Sequence, residues 1–348
     1  MISGLEEARR QLAVCDACRY CEGYCAVFPA LERRSGRLLL AGDVAQLANL
    51  CHDCRACYQA CPFTPPHEFA VDIPGLLGAA RAESYERFAW PSRTGRWAFR
   101  HPSLAVAGAT GLGLALALAV AGVGGGLLGR HTFYEVVPYL AMLVPALVVS
   151  AFVVAVLAAG FARFWRAGGG GWPSGRAWLV AAREALGLRW LRGGGGGCYY
   201  PDPERPSGAR RVLHSLVVGG LALAFAATVA AALLQDVLGV PPPYPVLSAP
   251  VVLGSLGGAA LIAGCAGLLV LAPAGGRPRA LESAFLWALL LAAITGMLTL
   301  ALRATPALGP ALVVHLGALA GLYVTAPYGK LVHGVYRFAA LLRDAGQR

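Results

Sequence analysis

The chain runs to 348 residues, 57% of them hydrophobic and only 14% charged, with mean hydropathy +0.60 and net charge +11. A soluble domain carries nearer a quarter charged residues, so a wholly soluble protein is excluded and the excess apolar content must face lipid. The positive charge does not point to nucleic acid, because the arginines fall in short loops beside apolar spans and no basic stripe with interleaved aromatics stands apart from them.

Residues 2–14 read as a helix, with Leu5, Leu12 and Val14 among charged positions. Glu6, Glu7, Arg9 and Arg10 leave no apolar core for a signal peptide, so the expected location of the head is the cytoplasm, where thiols stay reduced. Cys15, Cys18, Cys21 and Cys25 then stand as C-x2-C-x2-C-x3-C. Cys51, Cys54, Cys57 and Cys61 repeat the spacing, and Pro62 follows. Three thiolates spaced by two residues wrap one face of a cubane cluster, while the fourth points away and ligates the other cluster. Cys15, Cys18, Cys21 and Cys61 are therefore assigned to one [4Fe–4S] cluster, and Cys51, Cys54, Cys57 and Cys25 to a second. Zinc sites use four ligands, commonly in separated pairs, and do not need a doubled run. A disulfide framework needs an oxidising compartment and usually a small secreted domain. Ala26, rather than proline, follows Cys25, which removes no ligand.

Residues 26–42 join the two cysteine runs. Asp43 is expected to cap a short helix with Gln46 at its third position, and Val44, Leu47, Ala48 and Leu50 give that helix an apolar face. A helix leading into each run points to the helical kind of two-cluster ferredoxin domain over residues 1–75. Residues 62–69 are stiff and turn-rich. Residues 76–102 are expected to form an amphipathic, interfacial linker, since Trp90, Arg93, Arg96, Trp97, Phe99 and Arg100 crowd together just before an apolar span.

Six apolar segments follow, near 103–128, 136–162, 212–234, 249–273, 281–302 and 311–333. Each is long enough for a hydrocarbon core of about 30 Å, which takes about 20 residues. The expected fold is thus mainly α: a helical ferredoxin-like head followed by a six-helix transmembrane bundle over 103–340. Loop 163–211 carries nine arginines, whereas the opposite loops carry only Arg130, Glu135, Asp236 and Arg303, so both termini and the head are expected on the cytoplasmic side. The glycine runs at 168–171 and 193–197 read as flexible linker. Gly254 and Gly258 form a G-x-x-x-G expected to mark close helix packing. Cys198 and Cys265 have no partner motif and read as small apolar residues.

Ionisable residues within spans are rare and mark function. His214 opens the third span, and His333 ends the sixth on the same side. The two are expected to form an axial pair for a b-type haem. His315 lies near the outer side, where His131 is the available partner. On a continuous helix, His315 and His333 would be about 27 Å and five turns apart, facing one neighbour.

Several stretches now converge: Cys61-Pro62-Phe63-Thr64-Pro65-Pro66-His67-Glu68-Phe69, Arg210-Arg211-Val212-Leu213-His214, Pro243-Tyr244-Pro245, His315-Leu316-Gly317 and Pro327-Tyr328-Gly329-Lys330-Leu331-Val332-His333-Gly334. Together they resemble the tricarballylate/citrate utilisation protein B family, whose relatives include the C-terminal half of the CobZ protein of cobalamin synthesis. The resemblance covers nearly the whole chain. It implies an electron-transfer subunit of an oxidoreductase system in the bacterial inner membrane. Such a subunit would reoxidise a partner FAD-dependent dehydrogenase through two [4Fe–4S] clusters and haem b, and pass the electrons to the membrane quinone pool. Ser215, Gln235 and Asp236 stand where that resemblance leads one to expect further histidines, so one haem is expected rather than two.

No dinucleotide fingerprint or nucleophile elbow is present. A transporter with an iron–sulfur head is the rival, but the spans hold almost no charged residue to bind a di- or tricarboxylate. The sequence is also compatible with a redox sensor, and with an electron-transfer partner in cobalamin precursor synthesis.

Overall fold

The structure, a computed structural model, describes residues 4–123, 127, 132–169, 171–192, 194, 196–200, 202–271 and 278–348. The described residues form helices α1 (Leu5–Cys18), α2 (Val27–Glu32), α3 (Ala41–Leu50), α4 (Ala56–Gln59), α5 (Ile73–Phe88), α6 (Ser92–Arg100), α7 (Pro102–Val123), α8 (Phe133–Val136), α9 (Tyr139–Ala167), α10 (Gly175–Leu186), α11 (Ala209–Ala232), α12 (Ala249–Val270), α13 (Pro278–Ala301), α14 (Leu308–Thr325) and α15 (Val332–Gly346). Among them there is no strand, only an isolated bridge between Cys198 and Ser207. The mainly α expectation holds.

The head is built on α3, every residue of which after Ala41 is buried. Asp43 does not cap it. Leu40 is the capping position, and Asp43 sits one turn in, its carboxylate accepting the Leu40 N–H at 3.0 Å. The carboxylate also takes Arg34 at 3.0 Å and Arg37 at 2.6 Å. Two guanidiniums make an interior position cheaper for this acid than a solvated cap. Helix α5 is capped by Asp72, whose carboxylate accepts from Gly75 N at 2.9 Å. Its Leu77, Ala80, Tyr85 and Phe88 lie in the same buried cluster as Val44 and Leu47. Residues 76–102 therefore comprise most of a helix in the head's core plus α6, which leaves Trp90 and Trp97 exposed and buries Phe99 against Tyr85 and Tyr328.

Among the described residues, six helices are long and apolar enough to cross a membrane: Pro102–Gly122, Tyr139–Ala167, Ala209–Val237, Ala249–Val270, Ala280–Ala301 and Leu308–Gly346. The last is not one straight rod. It breaks at Ala326–Tyr328, a short 3-10 turn begun where Pro327 cannot continue the ladder. So His315 and His333 do not share a helix face, and the five-turn expectation fails at this proline. Helices α11 and α12 approach through Gly220, Gly257 and Gly264. A Cβ on Gly257 would lie 2.9 Å from Ala224 N and Gly220 O. Within the G-x-x-x-G, Gly258 packs on Met297 of α13, while Gly254 is only in ordinary contact range of Ala227.

After the break the chain turns back into the head. Tyr336, Ala339, Ala340, Leu341 and Leu342 of α15 are 3% exposed or less and belong to the head's own core, beside Phe164 and Ala181. The head's core thus takes in residues of α9 and α15, while the spans keep two smaller clusters of their own. The glycine run at 168–171 is not free linker at its start: a Cβ on Gly168 would fall 1.1 Å from Arg343 Nη1, and one on Gly42 would fall 2.0 Å from Ala167 O. Positions 170, 193 and 195 of the two runs lie outside the described residues.

Asp344 fastens this joint. It is 1% exposed and pairs with Arg33 of the segment after α2 and with Arg348 at 2.6 Å. The partners are themselves part-exposed, so Asp344→Ala is expected to destabilise the full chain by about 2 kcal/mol. The check is the melting temperature of detergent-solubilised protein, with Glu6→Ala, which removes the exposed pair with Arg9, leaving it unchanged.

Candidate metal centres and the crevice beneath them

The two cysteine runs are folded so that their last members cross over. Cys15, Cys18, Cys21 and Cys61 line one small cavity with Phe28 and Phe63. Cys25 instead neighbours Cys51 and Cys54, and Cys57 sits among Cys51, Cys25 and Cys54. The crossing follows from local geometry. Helix α1 ends at Cys18, with Arg19 in a left-handed conformation, and Arg55 repeats that conformation before α4. Each run thereby turns back on itself after its first thiols. Burial and the neighbouring Cys61 and Cys21 thiols push Cys15 up to about 12, and burial with Cys61 pushes Cys21 up to about 11. Such thiols are neutral until a metal displaces the proton. Among the described residues no three His, Cys, Asp or Glu side chains converge tightly enough to hold a single ion. A lone tetrahedral ion needs thiolates about 3.8 Å apart. A cubane gives each thiolate its own iron, so its four ligands stand farther apart than those of a single ion.

The first group is near the surface, with Cys18 exposed, while Cys51 in the second is buried. The second run is held by arginines from three different helices. Arg81 of α5 donates to Cys51 O at 2.8 Å, Arg337 of α15 to the same oxygen at 2.6 Å, and Arg210 of α11 to Asp53 O at 2.9 Å and His52 O at 3.3 Å. Arg337 also packs on the His52 ring. Burial first, then Arg337 and Arg210, hold His52 well below its usual range, hence neutral. From the other side Tyr199 N donates to Cys54 O at 2.9 Å, and the Tyr200 ring lies between the guanidiniums of Arg55 and Arg210. Sequence reasoning misses this cage. Arg210 reads there only as orienting charge, and Cys198, which reads as incidental, is buried in the loop that covers Cys54.

Below the second run a crevice of about 1680 Å³ separates head from membrane body. It is lined by Arg81, Arg210, Lys330 and Arg337 toward the head and by Val217, Leu268 and Phe285 among the spans. Lys330 is paired with Glu282. His214 and His333 meet in it, ring centres 6.2 Å apart and planes at 83°. Two imidazole nitrogens each about 2.0 Å from one metal put the ring centres about 6 Å apart, so the pair fits an axial ligand set. His333 Nδ1 bonds to Lys330 O, the carbonyl contact that orients a ligating imidazole, and His214 Nδ1 is buried without a partner among the protein atoms. His315 is not part of this group. Its Nδ1 lies 3.0 Å from Thr295 Oγ1 of α13, and its other expected partner, His131, lies outside the described residues. Arg100 lines the crevice and pairs with Glu86 at 2.9 Å.

Comparison with known proteins gives one consistent result. Residues 97–348 match the family described as citrate utilization protein B, and residues 8–87 match the citrate utilization protein B Fer4-like domain. The chain is 40% identical over 354 residues to the citrate utilization protein B of Escherichia coli, covering 97% of this chain and 91% of that one. No solved structure matches it.

The crossed grouping has a direct readout. In the iron-free full chain, a short thiol-bridging reagent is expected to link Cys61 to Cys15, Cys18 or Cys21, and Cys25 to Cys51, Cys54 or Cys57. Peptide mass spectrometry that found Cys61 joined to the second run instead would contradict the arrangement.

Proposed function

Because the chain belongs to the citrate utilization protein B family, we propose that it is a membrane-anchored electron-transfer protein. On this reading it takes electrons from a reduced FAD-dependent dehydrogenase acting on citrate or a related tricarboxylate, and delivers them to quinone in the bacterial inner membrane. The observation that carries the reading is the succession of three redox-competent groups of side chains: the exposed thiol set, the buried thiol set, and the histidine pair in the crevice.

When bound, two [4Fe–4S] clusters and one haem b supply the one-electron chemistry, and the protein sets their spacing and potential. Cys18, exposed, keeps the first thiol set within reach of a soluble flavoprotein. Cys51, buried, keeps the second away from water and oxygen. Arg81 and Arg337 bring positive charge to the second set, which favours its reduced state. His214 and His333 would hold the haem iron through their ring nitrogens, with the Lys330 carbonyl orienting His333. The apolar floor of α11, α12 and α13 gives a lipid-soluble acceptor a route into the crevice. The head and both termini lie in the cytoplasm, because the arginine-rich loop 163–211 is on their side.

Protein purified without oxygen is expected to hold about eight iron and eight sulfide per chain. Cys18→Ser should damage one cluster and Cys54→Ser the other. Stoichiometric zinc with little iron would sink the reading. His214→Ala or His333→Ala should remove the reduced α-band of a b-type cytochrome and leave cluster absorption intact, whereas His315→Ala should leave both. A protein with clusters but no haem by pyridine haemochrome assay would return the histidines to structural roles. A further outcome concerns orientation: a reporter fused after Arg192 should behave as cytoplasmic and one fused near Tyr244 as external, and the reverse pattern would overturn the placement.

A further inference from the structure

Each imidazole of the crevice has an arginine one helical turn away. Arg210 precedes His214 by four residues on α11, and Arg337 follows His333 by four on α15. At 1.5 Å per residue the two positions on each helix are about 6 Å apart along its axis and on one face. In both cases the arginine is on the head side, since Arg210 reaches Asp53 O and Arg337 reaches Cys51 O. Two histidines and two arginines therefore face the same crevice from two helices, in the same order.

The charges there do not balance. Arg81, Arg210, Arg337 and Lys330 all line the crevice beside the imidazoles. Glu282 pairs with Lys330, Glu86 with Arg100 and Glu184 with Arg348, yet among the described lining residues eight arginines and lysines face five carboxylates. The backbone carbonyls of Cys51, His52 and Asp53 occupy only part of what these guanidiniums offer, since each has five N–H donors. Arg337 Nε is buried and has no partner among the protein atoms, as is His214 Nδ1. A guanidinium buried without a counter-charge is costly, and the cost is removed by a bound anion. Away from the arginines the wall turns apolar, through Val217, Leu221, Leu268 and Phe285. The ligand such a crevice would take has an apolar body, a centre for two imidazole nitrogens, and anionic groups toward the arginines.

We infer that Arg210 and Arg337 clamp the two propionates of the haem whose axial ligands are His214 and His333, so that its carboxylate edge is turned toward the second cysteine run. The inference rests on the haem reading above and adds the orientation of the group and the residues that discriminate its charged edge. It also gives Arg337 two duties, holding the Cys51 carbonyl with one N–H and the ligand with others.

The test compares protohaem with its dimethyl ester, which keeps iron and ring but carries no carboxylate. Full-length protein from haem-depleted cells, with its clusters retained, is titrated with each. Wild type is expected to hold protohaem about tenfold or more tightly than the ester, the value of a charge-assisted pair. Arg210→Gln and Arg337→Gln should each lose about tenfold for protohaem and little for the ester, and the midpoint potential of bound protohaem should move to more negative values. Unchanged iron and sulfide shows that the head is intact in each variant. Equal affinity of wild type for the two compounds overturns the inference and leaves the haem reading standing. Uptake of neither by wild type with intact clusters overturns both. The wild-type comparison needs no substitution, so a variant that fails to fold does not decide the matter.

Discussion

The seating of α15 in the head is the interaction on which the remainder of the molecule depends. Tyr336 stacks on Phe164 of α9 at 5.3 Å and 20°, and packs on Tyr85 of α5 at 5.7 Å. Each such fully buried side chain contributes about 1.5–3 kcal/mol of burial. The helix could not reach this position as a continuation of α14, so the break at Ala326–Tyr328 is a structural requirement. Tyr328 secures the bend itself, donating to Trp90 O at 3.1 Å. Once α15 is seated, His333 faces His214 and Arg337 faces Cys51. The site is a by-product of how the last helix is docked.

Electrostatics at the second thiol set follow from the same docking. Burial raises the Cys51 thiol, and burial together with the neighbouring Cys51 raises Cys25. Arg81 and, less strongly, Arg337 oppose this at Cys51, where Arg81 is the leading counterweight to burial. The first set, with exposed Cys18, has water to do the same work. Two groups of identical ligand spacing are thereby placed in different dielectric and charge surroundings, which is how a protein separates the potentials of chemically equal clusters.

The two cysteine runs were legible in the sequence because each, Cys15 to Cys25 and Cys51 to Cys61, is written in local spacing. The spans were legible because hydropathy over 20 residues is a strong signal, and their bounds moved by only a few positions in most cases. The pairing of His214 with His333 was legible because both stood at the same end of the bundle. What escaped was everything set by contacts between distant parts of the chain. Asp43 reads as a cap until Arg34 and Arg37 are brought to it. Arg210 reads only as orienting charge, and Arg81 and Arg337 carry no signal of their own, until three helices converge on residues 51–53. The pull of Pro327 on the sixth span was visible in the sequence, but not the direction in which the chain leaves it.

The seating of α15 has a temporal side. The cysteine-bearing segment is made before α15, with every span between them. Chains fold largely from the N-terminus as they emerge, yet contacts between residues 33–51 and 337–344 cannot close until α15 has been made. Until then the crevice lacks one wall and Cys51 lacks one of its arginines. Closure of the second thiol set in this way waits on the placement of all the helices that lie between it and α15. A chain stalled or misthreaded partway would leave its second set of thiols open to the chaperones and proteases that clear unfinished proteins.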